Sequence, residues 1–408
     1  MKAAVSLSLL LFSLNALAQE AKPGYDYLYQ LAKAEKTFQA ISKDGRAEEV
    51  GGRLSASMQQ LATQRSFSGD VDGAIATIDE LAGYYRSSAV PESKTSDEPD
   101  LLANANVEAA IDAIVLEART RNVVILNEAH HVPMHRAFAM QLARALRKIG
   151  YSYLACETFE ELEPVRDGYA LSSTGYYSNE PMYGQFLRDA AGDGWKFIAY
   201  EPFEENQTRL QREVGEARNL IERIFAKDSA AKVFVYVGYS HALKKPEATN
   251  DKDFAWMAAQ LVRLHEAKIL SIDQTTMFSH SQKHFEAQGY RSAVERASLK
   301  QPFVIKSANG SYQVFGKYKG GMDMQVFHLP AVTLPNGRAS WLQTMANRTP
   351  HDIPLELLPK QGRRLIMAYY TDDKADAVPA DVVLAEAGKT VPPLMLPAGR
   401  FRYQHQDI

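Results

Sequence analysis

Unbroken apolar runs alternate with helically spaced apolar stripes through the middle of this chain. Val123-Val124-Ile125-Leu126-Asn127 leads into Glu128, Tyr153-Leu154-Ala155-Cys156 into Glu157, and Phe197-Ile198-Ala199-Tyr200 into Glu201. Val233-Phe234-Val235-Tyr236-Val237 leads into Gly238-Tyr239-Ser240-His241, and Ile269-Leu270-Ser271-Ile272 stops at Asp273. Runs without polar alternation read as strands buried on both faces, the pattern of a parallel sheet. Between them, Phe138, Leu142, Ala145, Leu146 and Ile149 recur at helical spacing after Pro133. Leu210, Val214, Ala217, Leu220, Ile221, Ile224 and Phe225 form a second stripe, and Phe254, Met257, Ala258, Leu261 and Leu264 a third. This alternation predicts an α/β domain, a mainly parallel sheet flanked by helices, over residues 102–300. In open parallel sheets ligands bind beyond the carboxyl ends of the strands. Three Glu, a His and an Asp fall at those ends, so the pattern predicts a pocket there.

The flanks read differently. Leu28, Leu31, Ala34, Phe38 and Ile41 make a helical stripe within residues 19–86, and Ser68 to Ile78 resembles the turn and second helix of a tetratricopeptide unit. One unit cannot build a solenoid, which needs about three repeats. A helical cap, or a segment for self-association or a protein partner, is the better reading. Residues 87–101 are polar and hold two prolines, a linker signature. A helix is expected from Val107 to Arg119. Past residue 300, Phe303-Val304-Ile305, Tyr312-Gln313-Val314-Phe315, Val326-Phe327-His328-Leu329 and Leu365 to Tyr370 read as short strands. With prolines at 379, 392, 393 and 397, they predict a partly β C-terminal extension over 301–408.

Composition narrows the class. With 408 residues, 46% hydrophobic and 23% charged, the chain can bury a large core. A net charge of −3 with scattered Lys and Arg argues against a nucleic-acid partner. Lys2, the apolar stretch from Ala3 to Leu14 and the Ala16-x-Ala18 pair read as a signal peptide over residues 1–18, so a periplasmic or secreted protein is expected. No other stretch is long and apolar enough to span a bilayer, so an integral membrane protein is not expected. The single cysteine, Cys156, sits inside a strand and reads as a buried small hydrophobe.

The densest chemistry is Asn127-Glu128-Ala129-His130-His131-Val132-Pro133-Met134-His135-Arg136. A strand-end Glu two residues before a His can orient a base or supply metal ligands. Pro133 suits a first helical position, which leaves His131 ahead of the helix and rules out a two-His helical zinc motif. The rival reading is a capping Glu with solvated histidines. Glu157, Glu201 and His241 at neighbouring strand ends favour function. Gly238 is expected to let the backbone turn sharply and present His241.

The run Leu126-Asn127-Glu128-Ala129-His130, followed by Pro133, His135 and Arg136, resembles the Gly-Glu-x-His signature of the erythromycin esterase-like and ChaN-like superfamily, which includes Tiki and TraB proteins. Glu157, Arg212-Glu213 and Gly238-Tyr239-Ser240-His241 follow in matching order, over about residues 105 to 280. Asn127 stands where that family has Gly. His130 fits the Glu-x-His spacing and His131 the esterase-type Glu-x-x-His spacing. The resemblance implies an erythromycin esterase/ChaN-like α/β core with both motifs facing one pocket. Members hydrolyse esters with a Glu/His-activated water, cleave peptides with a divalent metal, or bind haem. An exported hydrolase of a small molecule or peptide is therefore expected. Glu128, His130, His131, Glu157 and Arg212 would serve catalysis, and His135, Arg136, Glu201 and Asp273 would bind substrate. His130, His241 and Glu157 would hold a divalent metal of the zinc or manganese class. A surface ion pair is the competing use of Arg212, and helix capping that of Asp273. The alternatives are a haem or iron-carrier binder, with the aromatic insertion from Tyr169 to Tyr183 as a flat wall, and a non-catalytic interaction module.

Overall fold

The computed structural model describes residues 24–407 apart from 44–46, 88–98, 158, 203, 205, 246–253 and 266. The expected signal peptide and most of the expected linker lie outside the described residues. The main sheet contains β1 (Ala105–Ala109), β2 (Val123–Glu128), β3 (Tyr153–Cys156), β4 (Lys196–Ile198), β5 (Val233–Gly238), β6 (Ile269–Met277), β7 (Phe303–Ser307) and β8 (Met324–Phe327). Its order is β1-β7-β8-β6-β2-β5-β3-β4. The ladders from β8 through β6, β2, β5 and β3 to β4 are parallel, while β7 runs antiparallel to β8 and β1. The five runs singled out in the sequence are thus consecutive neighbours, β6-β2-β5-β3-β4.

Their unbroken apolarity follows from cover on both faces. Val124, Leu126, Leu154, Phe234 and Tyr236 meet Phe138, Leu142 and Leu146 of a helix spanning Pro133–Arg147 and Phe186 of one spanning Pro181–Gly192. Val123, Ile125, Val233 and Val235 pack with Ala217 and Leu220 of the helix Arg209–Leu220 and with Met257 and Leu261 of the helix Met257–His265. Successive strand side chains point to opposite faces, so each residue of a run is needed by one layer or the other.

Some elements depart from the pattern reading. β6 does not stop at Asp273 but continues to Met277, which places that carboxylate in mid-strand. Residues 105–109 pair with β7, so only Ala110–Ala118 of the expected helix is helical. Tyr312 makes one bridge to Lys306 rather than opening a strand. β7 and β8, which lie past the compositional change at residue 300, complete the main sheet rather than standing apart from it.

The remaining strands form an antiparallel unit. β9 (Thr349–His351) pairs with β12 (Leu394–Leu396), and β10 (Arg363–Tyr370) lies between β11 (Asp381–Glu386) and β13 (Phe401–Asp407). Period-two alternation again serves two layers. Leu365, Met367, Tyr369 and Val382 pack with Tyr27, Leu28, Leu31 and Ala34 of the first helix, Tyr27–Lys43. Ile366, Ala368 and Val383 pack with Leu394 and Leu396. The N-terminal apolar stripe is therefore covered by the chain's own C-terminal sheet. Residues 47–67 and 71–87 form the expected helical hairpin. None of the described helices is long and apolar enough to cross a membrane.

Cys156 is fully buried, and burial pushes its thiol well above the usual range. Titration of the native protein with a thiol-specific chromogen should therefore give no rapid reaction, and titration in denaturant one equivalent. Rapid native labelling would contradict this burial.

Candidate functional site

The carboxyl ends of β2, β3 and β5 bring Glu128, Glu157 and Gly238 side by side, because these strands are adjacent and in parallel register. Glu128 receives two hydrogen bonds from Arg136, whose Nε and NH2 nitrogens donate to Oε2 and Oε1 at 2.9 Å each. Arg136 also donates to Glu180 Oε2 at 3.0 Å and to the His130 carbonyl at 2.8 Å. Burial alone would raise the Glu128 carboxyl, but Arg136 and His130 outweigh it and hold it well below the usual carboxylate range. Glu128 is therefore an anion that can only accept. Because Glu128 can only accept, His130 Nδ1, 2.8 Å from its Oε1, is the donor, and Nε2 is left outside that pair. That nitrogen lies 3.9 Å from Glu157 Oε2. The imidazole stacks on Tyr177 with centroids 3.7 Å apart and planes at 9°.

Gly238 owes its place to space rather than to turning. Its backbone is ordinary extended chain, with φ at −74°. A Cβ there would lie 2.4 Å from His130 Nε2 and 2.8 Å from Glu157 Oε2. Its N–H donates to Glu157 Oε2 in a short bond. The unusual turn falls one residue later, on Tyr239, with φ at +40°. Asn127 holds it, donating from Nδ2 to the Tyr239 carbonyl at 3.0 Å and accepting from the Gln274 N–H at 2.8 Å. The Asn in the position expected for Gly thus braces the second motif.

A second group lies beside the first. Arg212 reaches Glu201 at 2.7 and 3.1 Å, Glu216 at 3.0 Å and Glu157 at 3.5 Å, so it is a junction rather than a simple surface pair. Burial tends to raise the Glu157 carboxyl, but His130, His241 and Arg212 together hold it lower than usual. His241 Nδ1 lies 2.9 Å from Glu213 Oε2 and 3.4 Å from Glu216 Oε2. Burial pushes the Glu216 carboxyl up to about 8, while Glu213 and Glu216 hold His241 above its ordinary range against burial. Among the described residues, Glu213, Glu216 and His241 are the group that could hold a metal ion, with candidate ligand atoms all within 4.8 Å of one another. The set expected from sequence, His130, Glu157 and His241, shares only His241 with it. His130 Nδ1 is engaged by Glu128, and Glu157 by Gly238 and Arg212.

The other predicted site residues are placed as follows. His131 is 5% exposed, and its Nδ1 lies 3.4 Å from the Tyr239 hydroxyl, beside the His130 pair rather than in it. His135 and Arg136, expected to bind substrate, are fully buried. His135 Nδ1 accepts the Ala129 N–H at 3.1 Å and its ring packs on Phe278 and His328. Arg136 is occupied by the contacts above. Asp273 is also fully buried and is neither a strand-end contact nor a helix cap. It accepts from Asn127, Thr275 and Gln325 and so ties β2 to β6 and β8.

Sequence reasoning missed Glu180, Tyr177 and the Glu213–Glu216 pair as a site. Glu213, Ala217, Leu220 and Ile224 follow buried-helix spacing, so a Glu in line with an apolar stripe was the available signal. Tyr177 and Glu180 lie in the aromatic insertion, where no period marked them. In that insertion Tyr177 covers His130, and Tyr183, with Phe186 just beyond it, packs on Tyr236 of the sheet.

No family model matches the chain, and no curated protein matches it. Solved structures similar to it include the type III effector HopBA1, 16% identical, with 44% of this chain and 88% of that chain covered and a TM-score of 0.27. ChaN of Campylobacter jejuni, described with cofacial haem binding, is 12% identical over 44% of this chain and 89% of that one, with a TM-score of 0.28. RRSP, a MARTX toxin effector domain from Vibrio vulnificus, is 16% identical over 54% of this chain and 50% of that one, with a TM-score of 0.26.

Two predictions follow from this geometry. Gly238→Ala should displace His130 and cost roughly 1–3 kcal/mol by overpacking, read as a lowered urea midpoint with unchanged far-UV dichroism. An unchanged midpoint would remove the steric account of Gly238. Burial also holds His131 and His328 down at about 3 and His135 well below its usual range. These groups, like Glu128, take up protons more readily when the chain is unfolded, so stability rises with pH. The histidine part should be fully present above about pH 6.5 and the Glu128 part above about pH 4.3. Both are lost as pH falls further towards the folded values. Glu216 and His241, both raised, contribute the opposite slope, so the difference between proteins is the measure: from neutral pH down to about 4 the wild-type urea midpoint should fall relative to that of His328→Gln. Parallel profiles would refute this sign.

Proposed function

We propose that this protein is an exported hydrolase of the erythromycin esterase/Tiki-like type, acting on an ester or amide bond of a small molecule or peptide. One observation carries the reading. His130 is fixed through Nδ1 by an anionic, Arg-clamped Glu128, with its Nε2 3.9 Å from Glu157 Oε2. A water touching both would have a base on one side and an anchoring acceptor on the other. Nε2 takes the water proton as the oxygen attacks the carbonyl carbon, and the imidazolium that forms is stabilised by Glu128. It then returns the proton to the leaving group. Arg212, the more open group with its side chain 36% exposed, would bind an anionic substrate group or the developing oxyanion, assisted by His241. Arg136 acts through Glu128, and Tyr177 fixes the imidazole plane.

A panel of ester and peptide substrates tests this. His130→Ala and Glu128→Gln should lower the turnover of any substrate found by about 10²–10⁴, with the thermal midpoint of His130→Ala close to wild type. Hydrolysis unaffected by His130→Ala would sink the assignment. A haemin titration run in parallel distinguishes the rival class: a stoichiometric Soret band lost in His130→Ala, without hydrolysis, would make the protein a haem binder.

A further inference from the structure

We propose that Glu213, Glu216 and His241 form a buried divalent-cation site beside the hydrolytic pair, which pins the helix carrying Arg212 to the end of β5. Four carboxylates, those of Glu157, Glu201, Glu213 and Glu216, converge on one guanidinium, Arg212, and one imidazole, His241. The deepest two, Glu213 and Glu216, are fully buried, and His241 is 8% exposed. An isolated buried carboxylate costs several kcal/mol unless it is paired or coordinates a metal.

The hydrogen bonding does not complete these groups. Glu213 Oε2 accepts from the Met257 N–H at 2.8 Å and from His241, but Glu213 Oε1 is buried with no hydrogen-bond partner. Both Glu216 oxygens are buried without an aligned hydrogen bond, although Arg212 Nε lies 3.0 Å from Oε1. The Tyr200 hydroxyl, buried and also without a partner, is raised by burial and by the charges of Glu201, Glu216 and Glu157. Buried carboxylate oxygens of two helix residues, with Glu213 Oε1 free of any hydrogen bond and Glu216 held only by ion pairs, therefore collect beside His241.

Glu213 and Glu216 are three residues apart, so both lie on one helical face. His241 follows β5 and meets that face. Two carboxylates with one imidazole suit Zn²⁺ or Mn²⁺. Carboxylate–imidazole separations of 2.9 and 3.4 Å match neighbouring ligands on one small cation. Binding requires Nδ1 to give up its proton, which the ring then carries on Nε2. Three protein ligands leave a fourth position on such an ion, which a water or a neighbouring oxygen would fill. An ion here fixes Arg212, the residue before Glu213, towards Glu157 and Glu201.

The hydrolytic reading does not need this ion, so the two fail separately. Full-length protein stripped with chelator and titrated calorimetrically with Zn²⁺ or Mn²⁺ should bind one equivalent, with a raised thermal midpoint. Glu213→Gln and Glu216→Gln should weaken binding at least roughly tenfold, the loss that even outer partners of metal ligands produce. His130→Ala and Glu157→Gln should bind as wild type. No stoichiometric binding by the wild type overturns the proposal and leaves a shared proton in the ion's place. Binding lost in Glu157→Gln but kept in Glu216→Gln overturns it in favour of a site at the hydrolytic pair. Because the buried variants can unfold, anomalous scattering from a metal-soaked wild-type crystal supplies the second measurement, and an ion located away from Glu216 overturns the assignment.

Discussion

The arrangement at the sheet's end depends on one buried guanidinium. Arg136 is fully buried, as is most of Glu128 and Glu180, and the group would be costly without full pairing. The effective penalty for burying each ion is several kcal/mol, and breaking a buried pair by removing one partner costs about 3–5 kcal/mol. Arg136 escapes this by spending its donors on two carboxylates and the His130 carbonyl. In doing so it joins three elements: the end of β2, the helix that begins at Pro133, and the helix Pro181–Gly192. Glu180 is the N-cap of that last helix, accepting from the Tyr183 N–H at 2.8 Å, so helix geometry fixes the far carboxylate as well. The loop from Ala129 to Val132 is left little freedom, and the imidazole it carries inherits that rigidity.

Around Arg212 the balance differs. Arg136 faces two carboxylates from the dry side of the site, whereas Arg212 faces several from its open side. A partly exposed guanidinium can exchange partners at small cost because solvent screens each pair. One arginine is therefore locked into its pairs, and the other keeps an open side. The same chemical group is held in opposite ways, decided by burial.

Much of the architecture was legible because burial on both faces demands apolarity at every position, and that demand is written locally. β2, β3 and β5 begin where their runs begin. β6 was cut short because Asp273 and Gln274 look like a strand end, yet both are buried and satisfied by Asn127, Gln325 and His328. Polar pairing between strands leaves no hydrophobic trace. The position of Glu128, Glu157 and His241 was legible because each stands where, or just after, an apolar run ends. Their division of labour was not. Arg136 reads in sequence as one more charge in a cluster, and only the arrival of Glu180 from 44 residues away makes it a clamp. Gly238 was legible as necessary but for another reason, because contact between β5 and the His130 loop is set by strand pairing.

The terminal regions reach the site through the insertion. Tyr177 and Glu180 sit on a segment with little regular structure, so something else must hold it. The Tyr27 hydroxyl of the first helix donates to the Asn179 carbonyl at 2.8 Å, and Gln64 donates to the Tyr176 hydroxyl at 3.0 Å. From the other end, Ser172 N–H donates to the Asp376 carbonyl at 2.8 Å and Val378 N–H to the Ala170 carbonyl at 3.0 Å. The insertion is thus gripped between the N-terminal helices and the C-terminal sheet, which are themselves packed together through Leu28, Leu31, Leu365 and Met367. Ordering a loop costs conformational entropy at every residue, and these contacts offset it at the residues that position His130. Sequence distance from the strand-end cluster is therefore no measure of independence from it: the flanks keep Tyr177 stacked and Glu180 aimed, and through them the His130 ring stays fixed.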